Sequence, residues 1–168
     1  MTPISIRLAC PADIPLLPDI ERSAGKAFLA TEHAWVAGDG VTEAEAFPTR
    51  MADAGVWVAE DDGALVGFVL TEPRGQAQHV LELAVHDRHQ RKGIGRELMA
   101  AVAEAARVRG LEAVTLTTFR HVAFNGPFYL SLGYEMLDTP PPALAAILAD
   151  EAAHGLTDRC AMRLTLEA

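Results

Sequence analysis

Residues 4–8 (Ile-Ser-Ile-Arg-Leu) alternate apolar and polar side chains with period two, the pattern of a half-buried strand. After the start signal Pro11-Ala12-Asp13, the apolar positions Ile14, Leu17, Ile20 and Ala24 fall at helical spacing, while Pro15 and Pro18 confine the regular helix to its later part. Gly25 ends or bends it. Residues 42–54 read as a second helix, with Thr42 as N-cap, Glu45 as its capping-box partner and Gly55 as the stop. Between them, residues 28–40 carry no pattern that assigns them. From Gly55 the period changes: strands at 56–60 and 64–72 flank the turn Asp61-Asp62-Gly63, a hairpin by its turn chemistry. A strand at 78–85 runs into a glycine-bearing loop, and residues 95–109 form a helix with Leu98, Val102, Ala105 and Val108 along one face and Gly110 as its stop. A strand at 113–117, a short helix at 125–132 behind Asn125 and Pro127, and a strand at 134–137 follow. A helix at 143–153, ended by Gly155, and a strand at 160–166 close the chain. Strands mixed with helices around one strand-loop-helix-strand unit define an α/β fold class, in the α+β sense of a mixed sheet covered on both faces.

Composition narrows the function classes more than the fold. With 168 residues the chain suits a single domain over 1–168, and no stretch approaches the ~20 apolar residues of a membrane helix. A net charge of −9 argues against nucleic acid as a partner and accommodates a cationic one. The first ten residues lack a basic start followed by an apolar block, so no signal peptide is expected and the cytoplasm is the default location. Cys10 and Cys160, far apart and without Cys-x-x-Cys spacing, are expected to be buried free thiols. His86 and His89 have no third ligand at a known spacing, and His33, His121 and His154 stand isolated, so no metal is expected.

The chemistry concentrates at Gln90-Arg91-Lys92-Gly93-Ile94-Gly95. A strand followed at once by such a loop and a helix start makes an anion site, because the N–H groups of the first turn lack intrahelical partners and the macrodipole is positive there. Gly93 and Gly95 let the backbone bend and a phosphate approach, while Arg91, Lys92 and Arg96 add positive charge in an otherwise acidic chain. A dinucleotide fingerprint fails at Leu98, where a third glycine belongs, and the P-loop pattern fails at Ala27 and Ile20.

This loop resembles the cofactor loop of the GNAT superfamily of N-acetyltransferases, Gln/Arg-x-x-Gly-x-Gly/Ala, at each specified position. Leu81 to His86 is similar to the family's fourth strand, and Phe128-Tyr129-Leu130-Ser131-Leu132-Gly133-Tyr134 to its later helix-to-strand segment. The resemblance implies a GNAT-like fold whose fourth and fifth strands, here 78–85 and 113–117, splay apart. It implies acetyl-CoA as co-substrate, with the pyrophosphate on the backbone of Arg91, Lys92, Gly93, Ile94, Gly95 and Arg96, and the pantetheine beside Leu83, Ala84 and Val85 as an added strand. Asn125 is a further cofactor contact or a helix cap. Many relatives carry an Asn where this chain has Val122.

Acetylation of an amine requires a proton acceptor, because an alkylamine with pKa near ~10.4 is mostly protonated at neutral pH. His79, Glu82 and a water chain are the alternatives. His79 is preferred because, counted back from Gln90, it is in register with the base of some resembling enzymes, whereas Glu82 has the opposite strand parity and shares that face only if a bulge intervenes. Tyr129 is the candidate proton donor to the leaving thiolate, and a backbone N–H near Leu83 the candidate oxyanion partner. The acceptor expected is a primary amine of a small molecule or polyamine, with Phe28 and Trp35 as apolar walls and Glu21 or Glu32 as the attraction for a cation. A coenzyme A sensor without turnover and a protein Lys or N-terminal acetyltransferase are the alternatives. A homodimer is left open.

Overall fold

The computed structural model describes residues 3–167. Its frame is a seven-stranded sheet in the order β1-β2-β3-β4-β5-β7-β6. The strands are β1 (Ser5–Leu8), β2 (Val56–Asp61), β3 (Ala64–Arg74), β4 (Ala77–Val85), β5 (Ala113–Phe119), β6 (Glu135–Met136) and β7 (Arg159–Thr165). All neighbours are antiparallel except β4 and β5, which run parallel through the crossover helix α3 (Ile94–Val108). The hairpin between β2 and β3 turns at Asp62-Gly63, both with positive φ, as its chemistry predicts.

Alternation along the strands divides the core between two faces. Phe68 and Leu70 join Leu17, Ile20 and Phe47 of α1 (Leu17–Ala24) and α2 (Ala46–Ala52), while Val69 joins Leu98, Val102 and Ala106 of α3. Completing the architecture are α4 (Gly126–Ser131) and α5 (Pro142–Ala153). No helix among the described residues is long and apolar enough to cross a membrane.

Three expectations are corrected, and one unassigned stretch gains a structure. The helix expected from Thr42 begins instead at Ala46: the Thr42 N–H, which a capping box would give to Glu45, donates with the hydroxyl to the Glu21 carboxylate and turns Thr42 toward α1. The later start also places Pro48 in the first turn, where its missing N–H costs no intrahelical bond. The pattern-free stretch 28–40 is built largely of two 3-10 segments, Gly25–Ala30 and Ala34–Gly38. Asn125 precedes α4 without a side-chain capping bond; its amide donates to the Phe124 carbonyl at 3.0 Å. Cys160 is buried, but Cys10 is exposed, standing between β1 and a further 3-10 segment, Pro11–Leu16.

Candidate active site

A break in the sheet creates the site. β4 and β5 pair only from Ala77↔Ala113 to Val80↔Leu116. Across β4's other edge, Leu70 opposes Glu82 but Thr71 opposes Val80, so Leu81 is an extra residue in a β-bulge. A bulge bends its strand and sharpens the twist, which carries residues 81–85 away from β5 and leaves their backbone without strand partners on that side.

The start of α3 aims at the same opening. Gly93 caps the helix at φ +83°, a conformation that excludes most side chains, and the first helical bond runs from the Glu97 N–H to the Gly93 carbonyl at 3.0 Å. The N–H groups before it are left to an external acceptor. Arg91 also has positive φ, +64°. The Gln90 side chain ties the loop to β4 by donating to the Val85 carbonyl at 2.9 Å. Unpaired strand, open helix terminus and basic side chains therefore meet at one end of a cavity of about 970 Å³. They fit an extended, pyrophosphate-bearing molecule: strand-type hydrogen bonds are free along one wall and anion-binding N–H groups stand at its end.

Leu83, Val85, Arg91, Gly93, Ile94, Gly95, Arg96 and Asn125 all line this cavity. Ala84 and Lys92 do not: Ala84 packs into the core beneath α1, and Lys92 is exposed beside the loop.

The two candidate proton acceptors differ in their access to the cavity. By removing one residue from the register the bulge places His79 and Glu82 on the same face after all, but only Glu82 reaches the cavity, which β4 first lines at Val80. His79 is 2% exposed, with Nδ1 2.9 Å from the Thr115 hydroxyl. Burial, assisted by the nearby Arg74 charge, lowers its pKa to about 4. Such an imidazole stays neutral and accepts protons poorly at neutral pH. Glu82 has the opposite tuning: burial first, then the Glu21 carboxylate, raise its pKa to about 8, against the opposing pull of Arg159. Tyr129 also lines the cavity, and burial together with the Glu82 charge pushes its phenol upward, so it keeps its proton.

Three features escaped the sequence reading. Arg159 enters from β7, 3.0 Å from Glu151 and 4.6 Å above the Phe119 ring, so its charge is largely answered by protein. Phe119 and Phe124 form an aromatic wall with Phe28, at centroid separations of 5.6 and 4.9 Å from it, whereas Trp35 is exposed and outside the cavity. Gly126 leaves no room for a side chain, since a Cβ there would overlap the Arg120 carbonyl. Of these, only the Asn125-Gly126-Pro127 turn left a local signal. The others depend on which loops meet across the sheet.

A mixed sheet split beside a helix N-terminus, with a raised carboxyl and a protonated phenol in the split, defines the class of acyl transferases that take a coenzyme A thioester. The family model for the acetyltransferase (GNAT) domain matches residues 52–136, and the chain belongs to that family. It is thereby an acetyl-CoA-dependent acyltransferase. The whole chain is similar in fold to PaiA N-acetyltransferase from Thermoplasma acidophilum in complex with coenzyme A, at 18% identity and TM-score 0.75 over 98% of this chain and 99% of that one. A ribosomal-protein alanine N-acetyltransferase of Escherichia coli aligns at 18% identity and TM-score 0.70, over 98% of this chain and 95% of its own. N-acetylglutamate synthase from Neisseria gonorrhoeae, complexed with coenzyme A and N-acetyl-glutamate, aligns at 18% identity and TM-score 0.71 over all of this chain but 36% of its own.

Proposed function

We propose that the enzyme acetylates a primary amine of a small, cationic molecule such as a polyamine, by direct transfer from acetyl-CoA, with Glu82 as the proton acceptor. The observation that carries this reading is the placement of Glu21 and Glu82 in one cavity, where the Glu21 charge reaches the Glu82 carboxyl. Arg159, the adjacent cation, is already answered by Glu151. With that arginine neutralised, the Glu21 carboxylate favours an ammonium group at this end of the cavity, where a largely protonated Glu82 adds no opposing positive charge. Segments 25–30 and 34–42 wall that end with Phe28, Val36 and Thr42, which suits a compact acceptor better than a folded protein surface.

In this reading the backbone N–H groups at Gly93 to Arg96 hold the pyrophosphate, and the unpaired backbone of residues 83–85 orients the arm. Thioester and amine are brought together chiefly by that positioning. Glu82 takes the proton the ammonium must lose; with a pKa of about 8, roughly a tenth of the molecules carry it ionised at pH 7. Tyr129 donates a hydrogen bond to the departing sulfur. With its pKa raised, full transfer of the phenolic proton to a thiolate of pKa near ~8.5 is uphill, so its part is to hold the charge while solvent supplies the proton.

A thiol-release assay over a panel of diamines, polyamines, amino acids and peptides tests the proposal. Turnover is expected to be highest with compact di- or polycations. Silence toward all amines despite a thermal shift with acetyl-CoA would establish a sensor, and turnover confined to peptides would establish a protein acetyltransferase.

A further inference from the structure

The acceptor side of the sheet carries a cluster that acetyl transfer does not use. His33 lies between the two 3-10 segments and stacks flat on Phe119, with centroids 4.2 Å apart and planes inclined by 22°. The residue is 8% exposed, and its Nε2 has no hydrogen-bond partner. Glu32 Oε1 stands 3.7 Å from that nitrogen, beyond hydrogen-bond reach. Asp158, in the turn before β7, completes a triangle: one donor atom from each of Glu32, His33 and Asp158 lies within 4.8 Å of the other two. His121 adds a second imidazole, with Nε2 3.8 Å from Asp158 Oδ1.

We propose that Glu32, His33 and Asp158 form a binding site for a divalent transition-metal ion, zinc by their chemistry, with His121 near enough to supply a fourth donor. A buried imidazole nitrogen without a partner is the unusual feature, since buried polar atoms are nearly always satisfied. A metal ion satisfies it while neutralising two carboxylates that otherwise crowd together. Mixed imidazole and carboxylate donors suit zinc, whereas magnesium and calcium take oxygen sets. Tetrahedral zinc with bonds near ~2.0 Å sets its donors about 3.3 Å apart, so the triangle has to contract. Its mobile corners allow this: the His33 ring is held by its stack, while the side chains of Glu32 and Asp158 are 74% and 36% exposed and free to turn inward. Glu32 and His33 belong to the segment that walls the acceptor end of the cavity, and Asp158 and His121 to the loops flanking β7 and β5. A bound ion therefore clamps that wall onto the sheet.

Isothermal titration of the full-length chain with zinc chloride in chelator-free buffer near pH 7 tests the site. One ion per chain is expected, with a rise in Tm. Asp158→Asn and Glu32→Gln, which change exposed groups, and His33→Ala should each weaken binding by more than about a hundredfold, beyond the loss of an outer-shell partner alone. The two carboxylate variants keep the test decisive if His33→Ala folds poorly without its stack. His89→Ala controls for the other neighbouring pair of imidazoles, His86 and His89, and should leave the titration unchanged. Absence of zinc binding, binding and Tm shift that survive Asp158→Asn, or loss in His89→Ala with retention in His33→Ala would each overturn the proposal.

Discussion

As the proposed proton acceptor, Glu82 serves two ends that conflict. Its carboxyl must ionise to accept a proton, yet burial and the Glu21 charge hold it neutral up to about pH 8. The pH profile should show this: kcat/KM is expected to rise with an apparent pKa near 8, and Glu82→Gln should abolish that limb while leaving the separate rise from the amine's own deprotonation. A fall of about a hundredfold at pH 8 is the size typical of losing a positioned base. For stability the sign is reversed. A carboxyl whose folded pKa is raised binds a proton that the unfolded chain has released above about 4.5, so it costs stability increasingly as pH rises from there to about 8. Glu82→Gln should therefore melt higher than the parent protein, by a margin that widens between pH 5 and pH 8 in differential scanning fluorimetry. At Gly93, any β-branched residue must adopt φ +83° and also crowd the approach to the N–H groups. Gly93→Val should remove the thermal shift with coenzyme A, and retained binding would refute the anion-site assignment of the loop.

Strands and helices follow from period and punctuation wherever their residues face one neighbour. That is why β2, β3, α3 and α5 lie within a few residues of their sequence patterns. Legibility fails where distant groups decide. Thr42 looks like a capping-box residue until Glu21, twenty-one positions earlier, takes the N–H that Glu45 would have accepted and turns the side chain toward α1. His79 and Glu82 seemed to be exclusive alternatives because parity assumes an unbroken strand, and nothing in Val80-Leu81-Glu82 announces an extra residue. The bulge exists in the mismatch of β4 with β3 and has no local signature. Its role is open to test at the same scale. Deleting Leu81 should restore regular pairing toward β5, leaving a folded protein by circular dichroism that no longer binds coenzyme A in titration calorimetry.

At the scale of the molecule, the excess of acid is organised by specific contacts at several points. Arg7 lies 2.8 Å from Asp13 and 2.6 Å from Glu60, joining β1, β2 and the segment leading into α1. Its guanidinium holds the Asp13 carboxyl down at about 2, against 3.8 unperturbed. A lowered carboxyl pKa stabilises the fold above the unfolded value and loses that contribution as pH falls from about 4 to about 2. His79, lowered to about 4 from 6.5, works in the same direction between those values, since the unfolded chain takes up its proton first. Acid unfolding of Asp13→Asn, followed by fluorescence, should accordingly be less steep below pH 4 than that of the parent, from a lower starting stability.

The short pairing of β4 with β5 has one more consequence, for motion. Four rungs, from Ala77↔Ala113 to Val80↔Leu116, are, among the described residues, the only strand pairing between the β1–β4 half of the sheet and the β5–β7 half. A seam of so few bonds opens at low free energy, and the amides beyond it have no strand to shield them on that side. A bound thioester arm supplies the missing rungs and stitches the two halves together. In hydrogen–deuterium exchange, the amides of residues 81–85 and 117–119 that face the split should exchange fast in the free enzyme and slow markedly with coenzyme A, and the four paired rungs, though they touch no ligand, should slow with them.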